Sequence, residues 1–126
     1  MISGISMGTI TIDCDDEDGL CEFYHKLLGG EKCMKFAHNA LYIKEGVEFL
    51  FVEEDDYLPP VWPAKSGKQQ KQIHFDFGVP DLAAAVKYAE YIGAVKAEVQ
   101  FGGSEFTTML DPAGHPFCLC SENNIA

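Results

Sequence analysis

The chain runs through nearly the same plan twice, and that repeat limits its folds more than any single motif does. SMGTITID at 6–13 alternates, carries β-branched residues and reads as a strand that leads into DDEDGLCEFYHKLLGG. Further on, QIHFDFGV leads into PDLAAAVKYAEYIGA in the same way. Each helical run is followed by three short alternating segments separated by turn residues. Residues 9–29 and 74–93 therefore match, and the repeat is about 65 residues long. The order is βαβββ, linker, βαβββ. A unit of that size has too little core to stand alone. The two modules, about 5–54 and about 72–121, are expected to pair into one domain over 1–126, joined by a linker at about 55–71. Each helix should cover one face of its own sheet.

Local signals place the elements. In the first helix, acidic residues cap the start and Gly29-Gly30 ends it, with Leu20, Phe23, Leu27 and Leu28 as its apolar stripe. Strands are expected at 32–37, 40–44 and 47–53, with turns at His38-Asn39 and Glu45-Gly46. In the second helix Asp81 is the N-cap and Gly93 the stop, and Leu82, Val86, Ala89 and Ile92 form the buried stripe. Strands should follow at 95–101, 105–110 and 116–120, the last two joined by a bend at 111–114. The linker holds YLPPVWP, too aromatic to be filler. Tyr57 and Trp62 are expected either to clasp the linker to the body or to wall a ligand site.

Composition narrows the function. With 126 residues, 47% of them apolar, the chain can build a real core. A net charge of −11 argues against nucleic acid, which needs a basic face, and against anionic membranes. It serves solubility, or a field that draws in cationic ligands. No apolar run reaches membrane-spanning length. The opening MISGISMG has neither a charged start nor an apolar stretch, so cytoplasm is the expected compartment. Five cysteines, an odd number with no C-x-x-C pair, point to reduced thiols rather than a disulfide framework.

Strand alternation sorts the side chains. Ile73, Phe75 and Phe77 should lie under the second helix, with His74 and Asp76 on the opposite face. Phe117 and Leu119 join the first group, Cys118 and Cys120 the second. In the first module Ile10, Ile12, Val47, Phe49 and Phe51 go under the helix, leaving Thr9, Thr11, Asp13, Glu48, Leu50 and Val52 on the other side. A helix-free face of mixed polarity suits a small-molecule site; the plain alternative is a solvated face or a subunit contact. Here His74 is the candidate proton acceptor and Asp76 the group that holds its ring in one tautomer. Cys118 reads as a buried filler, with a thiolate paired to His74 as the alternative. Asp111 and His115 belong to the bend.

DCDDEDGLCEFYHKLLGG, QIHFDFGVPDLAAAVKYAEYIGA and DPAGHPFCLC together resemble the vicinal oxygen chelate superfamily, in particular its glyoxalase-like branch. The resemblance covers essentially the whole chain. It implies an α+β fold in which two βαβββ modules pair into a cup-shaped mixed sheet with helices on the outer face. It also implies that a divalent metal, if held, would take ligands from the first and last strand of each module. Those positions are Thr9, Leu50, His74 and Cys118, with Glu48 two residues away; only His74 is a usual ligand. Three readings follow. One is a glyoxalase-like binder of a small organic molecule with lyase or proton-transfer chemistry at His74 and Asp76, in which Thr9, Leu50, Tyr57, Trp62 and Cys118 line the ligand. The second is a bleomycin-resistance-type protein that sequesters a cationic ligand without catalysis. The third is an accessory domain that pairs with another protein. Homodimerisation is compatible with all three.

Overall fold

In a computed structural model of the chain, residues 2–122 are described. The chain divides after Tyr57 into two compact units. The fold is α+β, with two four-stranded mixed sheets that each carry one helix.

The first unit contains β1 (Thr9–Cys14), α1 (Glu17–Leu28), β2 (Glu31–Lys35), β3 (His38–Tyr42) and β4 (Glu48–Glu53). Its sheet order is β1-β4-β3-β2. First and last strands pair in parallel, and the others are antiparallel. Asp16 caps α1 by accepting from the Gly19 N–H at 3.0 Å. The helix packs on β3 and β4 through Tyr24, whose ring stacks 6.3 Å from Phe49 and 5.9 Å from Phe51. The buried face is Leu20, Cys21, Phe23 and Tyr24, while Leu27 and Leu28 are only half-buried. The large Tyr24 ring lies over the two phenylalanines.

The expected turn at His38-Asn39 falls two residues earlier. Phe36 (φ 53°) and Ala37 (φ 66°) form the bend, and His38 and Asn39 open β3. Positive φ at both central positions is the type I′ hairpin conformation, which Phe and Ala resist. Glu17 supplies the compensation from the first turn of α1. Its carboxylate lies 2.8 Å from His38 Nδ1 and accepts from the Asn39 N–H at 2.8 Å and Asn39 Nδ2 at 2.9 Å. It also accepts from the Glu53 N–H at 3.4 Å. Helix start, hairpin and last strand are thereby tied to one side chain.

The second unit contains β5 (Phe75–Val79), α2 (Leu82–Tyr91), β6 (Val95–Lys96), β7 (Phe106–Leu110) and β8 (Pro116–Ser121). Its order, β5-β8-β7-β6, repeats that of the first, again with first and last strands parallel. Asp81 caps α2 through the Ala84 N–H at 3.1 Å. Phe77 bridges Phe75 and Phe117 at ring distances of 5.9 and 5.8 Å. Ile73, expected beneath the helix, is 70% exposed because β5 begins only at Phe75. The strand expected at 95–101 is two residues long. Beyond it the Gln100 side chain takes over the pairing: Nε2 donates to Ala97 O at 2.7 Å and Thr108 O at 2.8 Å, and Oε1 accepts from the Thr108 N–H at 2.8 Å. An amide side chain thus satisfies the β7 backbone where a strand would have done so.

The bend at 111–114 forms as expected. Asp111 is buried and its Oδ1 accepts from the Ala113 and His115 N–H groups at 2.9 and 3.0 Å. Gly114 has φ 88°, and a Cβ there would stand 2.9 Å from the Pro59 Cβ. That close approach seats the Pro59 segment on the second unit.

Burial works against ionisation of Glu17, but the His38, Asn39 and Glu53 hydrogen bonds outweigh it and lower its pKa from 4.5 to about 2. A carboxylate with a depressed folded pKa stabilises above its unfolded pKa and loses that contribution as pH falls through the folded one. Glu17→Gln should cost about 2 kcal/mol at neutral pH. Urea titrations should show this deficit in full above pH 4.5 and see it close as the pH approaches 2.

Candidate functional site

Parallel pairing of β5 with β8 sets Asp76 opposite Cys118, and the antiparallel β7–β8 hairpin sets Cys118 opposite Thr108. These three side chains therefore share one row across one face of the sheet. His74 lies two residues before Asp76 and one before the strand begins. A tight turn positions it: the Ile73 N–H donates to Lys71 O across Gln72, whose φ is 56°.

His74 Nε2 stands 3.5 Å from Asp76 Oδ1, and one ligating atom from each of His74, Asp76 and Cys118 falls within 4.8 Å of the others. The His74 and Asp76 side chains are open to solvent, 38% and 57% exposed, while Cys118 is buried in the sheet. The Cys118 sulfur and the Thr108 hydroxyl are hydrogen-bonded at 3.5 Å. Burial raises the Cys118 pKa. The Thr108 hydrogen bond opposes this, the nearby Asp76 charge adds to it, and Lys71 weakly offsets it. The shift favours the protonated thiol, in keeping with Cys118 as a buried filler.

The first sheet offers a direct comparison, because the N-caps Asp16 and Asp81 lie one repeat apart. Its equivalent row is Thr11, Leu50 and Ala40, with Thr9 in the place of His74. Leu50 is 6% exposed and carries no donor atom. The residues present do not fit the hard, two-module ligand set that the fold implies for a metal. Glu48, the remaining first-module candidate, already accepts from Lys35 Nζ at 2.7 Å. Tyr57 is half-buried at the end of the first unit, its N–H donating to Glu54 O at 3.2 Å. Trp62 is a clasp: Nε1 donates to Val99 O at 3.3 Å, its ring meets Phe101 edge-on at 5.9 Å, and Lys71 Nζ lies 4.9 Å over it. Thr108 and Lys71 escaped the sequence reading. Counting back from the 111–114 bend would have found Thr108; nothing in the linker pointed to Lys71.

A model of the glyoxalase-like domain matches residues 9–120. The chain belongs to the glyoxalase-like family. Its fold places this glyoxalase-like chain in the vicinal oxygen chelate superfamily. Among solved structures it is similar to a glyoxalase/bleomycin resistance protein/dioxygenase family enzyme from Burkholderia phytofirmans, at 13% identity and TM-score 0.66, covering 90% of this chain and 95% of that one. The fosfomycin resistance protein FosX from Listeria monocytogenes is similar at 17% identity and TM-score 0.66, covering 96% and 94%. An integron cassette protein from the mobile metagenome of V. cholerae is similar at 17% identity and TM-score 0.61, covering 96% and 98%. No curated protein matches the chain. Among the described residues no helix is long and apolar enough to cross a membrane.

Thiol reactivity checks the burial assigned to this row. A short iodoacetamide pulse at neutral pH, read by peptide mass spectrometry, should label exposed Cys33 first. Cys118 should lag behind it, as should Cys14, whose pKa burial pushes up to about 12. Equal labelling of Cys118 and Cys33 would contradict the assignment.

Proposed function

We propose that this glyoxalase-like chain binds a small organic molecule on the face of the second sheet that carries His74, Asp76 and Cys118. In this reading His74 is the basic group that accepts a proton in a lyase or proton-transfer step, and Asp76 steadies its ring. The observation that carries the reading is the convergence of those three side chains within 4.8 Å. A loose imidazole–carboxylate contact of 3.5 Å suits an unliganded site, since such contacts tighten when substrate binds. Trp62 is left out of the ligand contacts because Lys71 already covers its ring.

The net charge of −11 favours a second reading, in which the chain sequesters a cationic compound and turns nothing over. Two-fold pairing, the commonest assembly, makes a homodimer part of either reading. The free thiols Cys14, Cys21, Cys33, Cys118 and Cys120 support a cytoplasmic setting.

Thermal unfolding of chelator-treated protein separates the two readings. The probes are small carbonyl compounds, their thiol adducts, fosfomycin and a cationic aromatic dye. A ligand at a hundred times its Kd stabilises by about 2.7 kcal/mol, which moves Tm by roughly 10 °C in a domain of this size. We expect a carbonyl compound or thiol adduct to give such a shift, and His74→Ala to lose it. A response to the dye alone, or a shift that survives in His74→Ala, would overturn the first reading.

A further inference from the structure

The ligand set implied by the superfamily spreads over both modules, and the first module supplies none of it. Thr9, Thr11, Leu50 and Ala40 occupy positions equivalent to those of His74, Asp76, Cys118 and Thr108. The second sheet has instead gathered an imidazole, a carboxylate and a thiol within 4.8 Å, Asp76 and Cys118 on paired strands and His74 just before β5. The two equivalent rows share a backbone plan and differ in donor chemistry, so the fold alone does not account for the group.

Its geometry is close to that of a four-coordinate ion. Around tetrahedral zinc, with bonds of about 2.0–2.3 Å, neighbouring ligand atoms lie about 3.4–3.6 Å apart. The His74–Asp76 separation is already 3.5 Å. The rest of the group must close by roughly 1 Å from its outer limit of 4.8 Å, and the exposed His74 and Asp76 side chains are free to rotate that far. Cys118 and Asp76 are fixed by direct pairing of adjacent strands, and Thr108 holds the sulfur from the other side as an outer hydrogen-bond partner. Solvent exposure of His74 and Asp76 leaves the side facing away from the sheet open for a fourth ligand. Sulfur in the set selects a thiophilic ion over magnesium, calcium or manganese, which prefer oxygen ligands.

We infer that His74, Asp76 and Cys118 form a three-ligand site for a thiophilic divalent ion of the zinc type, contained within the second module and open at its fourth position. On binding, the hydrated ion loses water to the imidazole and the carboxylate. The Cys118 S–H bond breaks, its proton passes to solvent, and a metal–sulfur bond forms with no change of oxidation state. This site departs from the superfamily's set in taking Asp76 and a thiolate, and in needing nothing from the first module. It draws on the same three side chains as the small-molecule reading, but its test is separate, because that reading is tested on metal-free protein and this one without organic ligand.

Cobalt(II) is the probe, titrated into chelator-stripped, reduced full-length protein with no organic ligand present. We expect a near-ultraviolet thiolate-to-cobalt charge-transfer band, together with the intense visible bands of four-coordinate cobalt, saturating at one ion per chain. Zinc should bleach both. Cys118→Ser should abolish the charge-transfer band. His74→Ala and Asp76→Asn change exposed residues and keep the fold; each should weaken binding by at least the roughly ten- to hundredfold that loss of an outer partner costs. Cys33→Ser and Cys120→Ser should keep the full spectrum. Absence of the band in the wild type would overturn the inference. So would unchanged affinity in both His74→Ala and Asp76→Asn, or loss of the band in Cys33→Ser.

Discussion

Parallel pairing between the first and last strand of each sheet is the constraint on which the rest of this molecule depends. β1 lies beside β4 and β5 beside β8, although a helix and two further strands separate them in the chain. A parallel pair needs a crossover, and the helix supplies it while covering one face of the sheet. Side-chain alternation then leaves aromatic residues under the helix and a mixed set opposite. In the second sheet the Phe75–Phe77–Phe117 cluster and the His74–Asp76–Cys118 group are two faces of that single arrangement. A slip of one residue between β5 and β8 would exchange them.

Both repeats use this backbone, and they spend their polar residues differently. In the first unit acidic side chains serve the fold. Glu17 ties the start of α1 to the β2–β3 hairpin and to β4, and Glu48 pairs with Lys35. One repeat later the position of Glu17 is held by Leu82, and the second unit is organised by apolar packing and by the Gln100 amide. Its carboxylate at Asp76 and its imidazole at His74 are left facing solvent beside a buried sulfur. With this division of labour the second module carries the donors, and the equivalent row of the first is poor in them.

Much of this was legible in the sequence. The repeat, the acidic cap of the first helix, the Asp81 cap and the bend at 111–114 follow from local chemistry that tertiary structure did not overrule. Strand parity put His74, Asp76 and Cys118 on one face before any coordinates. What was hidden needed partners distant in the chain. Phe36-Ala37 carries no turn signature, and its bend depends on Glu17 reaching across from α1. Gln100 looks like a strand residue, and only the β7 backbone opposite shows that its side chain does the pairing. Tyr24 is buried on the helix face through ring stacking that periodicity does not encode, while Leu27 and Leu28 are only half-buried.

The most direct check on this account is a nuclear Overhauser spectrum of the reduced, metal-free protein with His74, Asp76 and Cys118 assigned. Parallel register of β5 with β8 predicts inter-strand cross-peaks that place Asp76 opposite Cys118, and cross-peaks from the His74 ring protons to the Cys118 β-protons. Cross-peaks showing β5 antiparallel to β8, or a register shifted by one residue so that Phe117 or Leu119 stands opposite Asp76 in place of Cys118, would contradict it.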